Sequence, residues 1–275
     1  MAPFELIVSA ASASSKEAEG EDRVRTVGRG PGPSGVVVCD GVGSIAGSAG
    51  MAEEASELGA ALLGGHEVGE AIWRLDRRLD RHLAPDRDGA TTMAAVCADE
   101  KGVVGHLLVG NGSVLEVVPM EVEPGKVRLL WTSIALPQMG GREGRPALRS
   151  FLPPDGGRVE AEKGVRMAPA GTPRLYLACS DGFLSEEQRL EGPAPDGTVW
   201  RQVPRCAANL MELLGSAWTE LLTLPTEDAL AMLDGFAREA VAPEPGRPLD
   251  DDTTVGVLYL RPALADREER ERSSG

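Results

Sequence analysis

Acidic residues recur at the ends of apolar runs in this chain. Asp40 closes the run in VVVCDGVGS (36–44), Asp181 closes the run in LACSDGFLS (177–185), and Asp250, Asp251 and Asp252 stand before the run in LDDDTTVGVLYL (249–260). Glu21 and Asp22 in EGEDRVRTV (19–27) precede a further candidate strand. Strand ends from distant parts of a chain can converge, and carboxylates that converge are tolerated when hard cations neutralise them. Gly41 and Gly182, each following an aspartate, let the backbone come close to whatever the carboxylates hold. Any single Asp-Gly after a strand is ordinarily just a turn. Four acidic sites in the same strand context point instead to a shared metal-binding function.

The elements that must position these acids are legible from hydrophobic pattern. Runs rich in Val, Leu and Ile predict strands near 4–9, 23–27, 35–40, 91–98, 103–109, 113–118, 126–131, 174–180 and 254–260. A first helical block covers 50–84, with Ile72, Leu75, Leu79 and Leu83 at helical spacing and a glycine break at 64–65 that predicts an antiparallel pair. A second block, 205–242, repeats the form, with Thr226 placed to cap its second helix. This order predicts an α+β protein, a four-layer sandwich of two antiparallel sheets flanked by helix pairs. A doubly wound parallel sheet would need a helix between most strands. The Gly/Pro-rich stretches 138–173 and 186–204 read as loops, and no internal repeat or domain linker is visible. One domain is expected over 1–262, followed by a flexible charged tail, 263–275.

Composition narrows the partners. With 275 residues and 42% hydrophobic content the chain can fill a large core. Its formal net charge of −15 repels nucleic-acid backbones and anionic lipid, and no basic patch offsets it. Cys39, Cys97, Cys179 and Cys206 lie far apart with no CxxC pair, which fits reduced core thiols and a cytoplasmic location. No signal peptide or membrane span is indicated.

At these residues the sequence resembles the metal-dependent serine/threonine protein phosphatases of type 2C, in their bacterial form. EGEDR resembles the family's Asn-Glu-Asp opening, VVVCDGVGS its Asp-Gly-x-Gly strand end, and GATTMAAV (89–96) its Gly-Thr-Thr strand. LVGNGSV (108–114) resembles its Gly-Asp turn, LACSDGFLS its Ser-Asp-Gly, and DDTTVGVLYL its closing Asp-Asn-x-Thr strand. The matches run from about 20 to 260 in the family's order. The resemblance implies hydrolysis of phosphoserine and phosphothreonine in proteins by a hydroxide bridging two divalent cations, Mn or Mg rather than zinc. It makes Asp40 the bridging ligand, with Glu21 and the Gly41 carbonyl on one cation and Asp181 and Asp251 on the other. Asp40, Asp181 and Asp251 are thereby the catalytic residues, and Asp22 and Asp252 would orient water from behind the ligands. A Ser/Thr kinase is the implied opposing partner, and the chain is expected to act as a monomer.

Three positions depart from the family's pattern. Val42 stands where many members carry a histidine, and His66, His82 and His106 sit in none of the motifs. Asn111 occupies a third-metal position, where a neutral amide is a poorer ligand than the usual aspartate. The phosphate-binding arginine is missing before Glu21, leaving Lys16 as a phosphate contact of point-charge type without bidentate geometry. These departures define the alternative, a catalytically weak or inactive phosphatase fold serving as a regulatory or binding module. Other phosphatase chemistries fit less well. Neither Cys39 nor Cys179 is followed by the arginine-closed loop of a cysteine phosphatase. The Asp-x-Asp-x-Thr at 250–254 precedes its strand near the C-terminus, the reverse of the haloacid-dehalogenase arrangement.

Overall fold

Successive residues of a strand point to opposite faces, so a run buried throughout needs cover on both sides. The computed structural model supplies that cover. It describes residues 4–15, 20–28, 32–82, 88–123, 126–135, 137–142, 145–148, 150–153, 159–184, 186–191, 198–203, 205–246 and 248–263. The first half contains β1 (Phe4–Ala13), β2 (Arg23–Val27), β3 (Ser34–Cys39), α1 (Ser48–Leu63), α2 (Val68–His82), β4 (Met93–Ala98), β5 (Val103–Val109), β6 (Ser113–Glu123) and β7 (Lys126–Ala135). The second contains β8 (Met139–Arg142), β9 (Arg145–Leu148), β10 (Glu162–Met167), β11 (Arg174–Cys179), α3 (Asp181–Leu184), β12 (Glu186–Glu191), β13 (Thr198–Val203), α4 (Arg205–Thr223), α5 (Thr226–Val241) and β14 (Thr253–Pro262).

Two antiparallel five-stranded sheets form, one in the order β1-β14-β11-β6-β7 and the other β10-β5-β4-β3-β2. Val36 and Val38 of β3 pack between the sheets with Ala94, Val96, Leu108, Tyr176, Leu258 and Leu260. Val37 and Cys39, on the opposite face of the same strand, pack beneath α1 and α2 with Met51, Ala55, Ile72, Leu75 and Leu79. The second sheet repeats the division, since Val255, Val257 and Tyr259 of β14 face α4 and α5 and meet Leu214, Trp218 and Leu233. Trp218 stands edge-on to Tyr259, with ring centroids 5.5 Å apart. The result is the expected four-layer αββα sandwich. All four cysteines are buried and none is in a disulfide among the described residues, and among those residues no helix is long and apolar enough to cross a membrane.

Three sequence expectations need correction or extension. The stretch 138–173 contains the ribbon β8–β9 and the edge strand β10, and 186–204 contains the ribbon β12–β13. These strands carry glycine and charge, and β10 alternates half-buried with exposed residues, so no apolar run announces them. Thr226 does not cap α5. Pro225 holds the capping position without a side-chain bond, and the Thr226 hydroxyl donates instead to Glu5 Oε1. The expected tail, apart from Ala263, lies outside the described residues.

Glu5 has a second partner that matters more. Arg261 is 0% exposed, and its Nε donates to Glu5 Oε2 at 2.7 Å while Nη1 donates to the Leu221 carbonyl at 2.7 Å. One buried guanidinium thus joins β1, β14 and α4, and Glu5 extends the link to α5. Removing one member of a buried ion pair strands the other's charge. Glu5→Ala should lower the unfolding free energy by about 3 kcal/mol in urea titration, and the double variant Glu5→Leu/Arg261→Met should recover most of it. A Glu5→Ala protein as stable as wild type would contradict this assignment.

Candidate metal centre

The acids singled out from sequence come together at one end of the sandwich. Glu21, Asp40, Gly41, Asp181, Asp251 and Asp252 all line a single cleft of about 260 Å³, joined by Val42, Gly43, Thr92, Asn111 and Leu148. Asp40 follows β3, Asp181 opens α3 just beyond β11, and Asp251 and Asp252 precede β14. Strands of both sheets therefore end at the same place.

Two glycines permit this convergence. A Cβ on Gly41 would lie 2.9 Å from Glu21 Cβ, and one on Gly182 would lie 2.3 Å from the Asp252 carbonyl oxygen. Only glycine lets the segment after Asp40 meet Glu21, and the segment after Asp181 meet the 251–252 turn. Backbone clamps fix what the glycines allow. The Asp40 carbonyl accepts from Thr92 N–H and from the Thr91 hydroxyl, each at 2.8 Å. Ser48 Oγ donates toward the Val42 carbonyl at 2.9 Å and the Ile45 carbonyl at 2.8 Å, holding the turn that leads into α1. Thr254 N–H donates to Ser180 Oγ at 2.9 Å, and Ser180 N–H to the Thr254 carbonyl at 3.1 Å, tying the Asp181 and Asp251 segments together.

Electrostatics show how strained this gathering is. Asp22 is buried, and neither of its oxygens has a hydrogen bond of good geometry. Burial pushes its carboxyl up to about 6, although the nearby Asp40, Thr254 and Ser180 side chains counteract part of the rise. Burial also pushes Asp40 well above the usual carboxylate range, and the negative charges of Asp22, Asp181 and Asp251 push it further. Asp252 behaves oppositely. Burial alone would raise its carboxyl, but the Ser15 and Glu21 N–H groups and the Ser14 and Ser15 hydroxyls outweigh that and hold it below the ordinary value. Its Oδ1 accepts from Ser15 N–H at 2.8 Å, and its Oδ2 from Glu21 N–H at 2.6 Å. With both oxygens accepting, Asp252 anchors Glu21 and the end of β1 from the wall of the cleft.

The donor set suits a hard cation. Every side-chain candidate ligand offers oxygen, and Asp181 Oδ1 is buried without a hydrogen-bond partner. Among the described residues no three His, Cys, Asp or Glu side chains are grouped so as to hold a metal ion as they stand. Asn111, between β5 and β6, donates its amide N–H to Asp181 Oδ2. Lys16 lies outside the described residues. Of the histidines, His106 is buried within the sheet layers, and His66 lines a larger hollow of about 530 Å³ beside Gly32, Pro33 and Asp99. That hollow sits at the opposite end of β3 and β4 from Asp40, and no motif residue lines it. The side chain of His82 lies outside the described set. Sequence reading missed Ser14, Ser15, Ser48 and Ser180 as positioning groups, whose only signal is a small hydroxyl residue beside a strand end. It also missed Leu148, which brings the β8–β9 ribbon to the cleft.

No protein-family model matches the chain, and no curated protein matches it. Solved structures do. A bacterial serine phosphatase with an arginine-to-lysine substitution aligns at TM-score 0.61 and 12% identity, covering 94% of this chain and 99% of that one. The Streptococcus (S. agalactiae) serine/threonine phosphatase aligns at 0.57 and 13% identity, over 93% and 99%. The PP2C phosphatase domain of SpoIIE from Bacillus subtilis, with a fragment of its regulatory domain, aligns at 0.51 and 16% identity over 96% of this chain. The chain spans 65% of that SpoIIE fragment. The fold is that of the PP2C-type serine/threonine phosphatases.

The raised carboxyls set a pH dependence. A group whose pKa rises from 3.8 to about 6 on folding contributes stability that is complete below 3.8 and lost as pH climbs through 6. His106 works against this, because burial lowers its pKa from 6.5 and stability is lost as pH falls below that value. Comparison with a variant isolates the carboxyl effect. In chelator, wild type should lose more stability between pH 5 and pH 8 than Asp22→Asn does, as measured by thermal unfolding. Identical pH profiles for the two proteins would contradict the burial assigned to Asp22.

Proposed function

We propose that this protein is a divalent-metal-dependent protein serine/threonine phosphatase. The observation that carries the reading is the convergence of Glu21, Asp40, Gly41, Asp181 and Asp251 in one cleft, on a fold shared with PP2C-type phosphatases. Asp40 would bridge two Mn or Mg ions, with Glu21 and the Gly41 carbonyl holding one and Asp181 and Asp251 the other. Such a pair, when bound, makes hydroxide available at neutral pH and offsets the charge of a phosphoryl group.

The chain's own residues supply the rest. Asp252 keeps Glu21 in place through its backbone N–H, while Thr91 and Thr92 fix the Asp40 carbonyl and with it the turn that carries Gly41. Asp22, buried behind Asp40, holds a carboxyl against the bridging ligand and tunes its charge. Val42 lines the cleft and none of the described residues lining it is histidine, so the departing serine or threonine oxygen would take its proton from water in the cleft. Phosphoserine and phosphothreonine proteins are the proposed substrates, a Ser/Thr kinase the opposing enzyme, and the cytoplasm the location, in keeping with four buried cysteines outside any disulfide among the described residues. The net charge of −15 disfavours nucleic acid and anionic membranes as partners. A monomer suffices for this chemistry because one chain brings all the proposed ligands.

One observation favours the second reading, a phosphatase fold kept as a binding or regulatory module. Among the described residues lining the cleft, none is Lys or Arg, so the phosphoryl group meets no side-chain cation there. Hydrolysis of para-nitrophenyl phosphate separates the two. Turnover should require Mn or Mg and stop in excess EDTA, and Asp40→Asn and Asp181→Asn should each lower kcat by at least about 100-fold with thermal stability retained. A rate unchanged by chelator refutes the metal-dependent reading. No turnover at any Mn concentration favours the module.

A further inference from the structure

We propose that Asn111 is the positioning residue of Asp181, and that its amide gives this site a neutral, pre-oriented member among the carboxylates. The inference rests on the reading of the cleft as a divalent-cation site. Its basis is a single contact with two consequences.

The contact is the hydrogen bond from Asn111 Nδ2 to Asp181 Oδ2. Asn111 sits in the Gly110–Gly112 turn between β5 and β6, and Asp181 follows β11; β6 and β11 are neighbours with Ser113 opposite Cys179, so the bond continues that pairing past its last ladder partners, at the turn through which the chain passes from one sheet to the other. Both residues line the cleft with Asp40 and Asp251.

The first consequence concerns orientation. A carboxylate that accepts a donor on one oxygen loses rotation about its last bond, and here the tied oxygen is Oδ2. The other, Asp181 Oδ1, is buried without a hydrogen-bond partner. Asp181 is therefore preset to present one particular oxygen to a cation, and the order is already in place before a cation arrives. Asn111 Oδ1 is likewise buried and unpartnered.

The second consequence concerns charge. Five carboxylates already line the cleft, those of Glu21, Asp40, Asp181, Asp251 and Asp252. An ionised carboxylate at position 111 could not donate to Asp181 and would repel it at contact distance. Asparagine lowers the repulsion that the cation-free cleft must bear. It also removes a negative charge that would draw in additional cation.

Two substitutions separate these effects. Asn111→Leu keeps the volume but removes the donor, and should weaken Mn binding by about tenfold in calorimetric titration with the number of ions unchanged. Asn111→Asp should lower the melting temperature of the metal-free protein in chelator by about 3 °C, and Mn should then raise it by more than it raises wild type. A residue that merely supported the turn would not produce that opposite response to cation.

The inference is overturned if Asn111→Leu binds Mn as tightly as wild type, or if Asn111→Asp melts in chelator at the wild-type temperature. Should Asn111→Leu fail to fold, the Asn111→Asp pair of melting temperatures decides alone. Mn binding that depends on Asn111 in a protein without turnover rejects the phosphatase reading and keeps this one. Turnover combined with Mn affinity indifferent to residue 111 rejects this one alone, and a wild type that binds no Mn overturns both.

Discussion

Mutual repulsion among carboxylates at the strand ends is the constraint on which this structure turns. Two sheets packed through Val36, Val38, Tyr176 and Leu258 have their strands end together at one edge, and at that edge the chain places Glu21, Asp40, Asp181, Asp251 and Asp252. Packing of hydrophobic faces forces the acids into proximity. Buried at an effective dielectric well below that of water, unneutralised charges at such spacing cost several kcal/mol. The cleft answers in two ways. Asp22 and Asp40 are pushed toward protonation, and Asp252 is held ionised by donors on both of its oxygens.

Small polar groups make the acidic gathering structurally affordable. Ser14 and Ser15 at the end of β1, Thr91 and Thr92 before β4, Ser48 at the start of α1 and Ser180 after β11 each bond a neighbouring carboxylate or backbone group around the cleft. They come from four separate chain segments, so the site is held by the ends of the sheets and not by one loop. The ion pair of Glu5 with Arg261 has a parallel role at the other side of the second sheet, where β14 meets α4 and α5. In both places the fold sets polar groups where several elements meet and satisfies them across elements.

Much of this was legible in sequence because the signals were redundant. Strands such as 103–109 and 174–180 are apolar on both faces, and the helix pairs show their stripes at Ile72, Leu75 and Leu79, so the layers follow from pattern alone. The acidic positions were visible because each abuts such a run. What the sequence concealed has a physical reason in each case. β10 has only one strand neighbour and exposes Val165 and Met167, so its pattern resembles a loop. Thr226 has the chemistry of a cap but finds a carboxylate from β1, a partner 221 residues away that no local rule contains. Asp252 has the chemistry of a water-orienting acid, and only the fold adds its contacts with the β1 end and the Glu21 N–H. The Asn111 contact with Asp181 continues the β6–β11 pairing past its end, and with a partner 70 residues away it has no local signature.

The central claim is that these strand ends form a cation site with Asp40 at its middle. Diffraction from crystals soaked in Mn, recorded at the manganese absorption edge, tests it without reference to any substrate. The account predicts two anomalous peaks in the cleft, one beside Glu21 and Gly41 and the other beside Asp181 and Asp251, with Asp40 between them. A cleft without anomalous density, or peaks confined to the hollow beside His66 and Asp99, would contradict it.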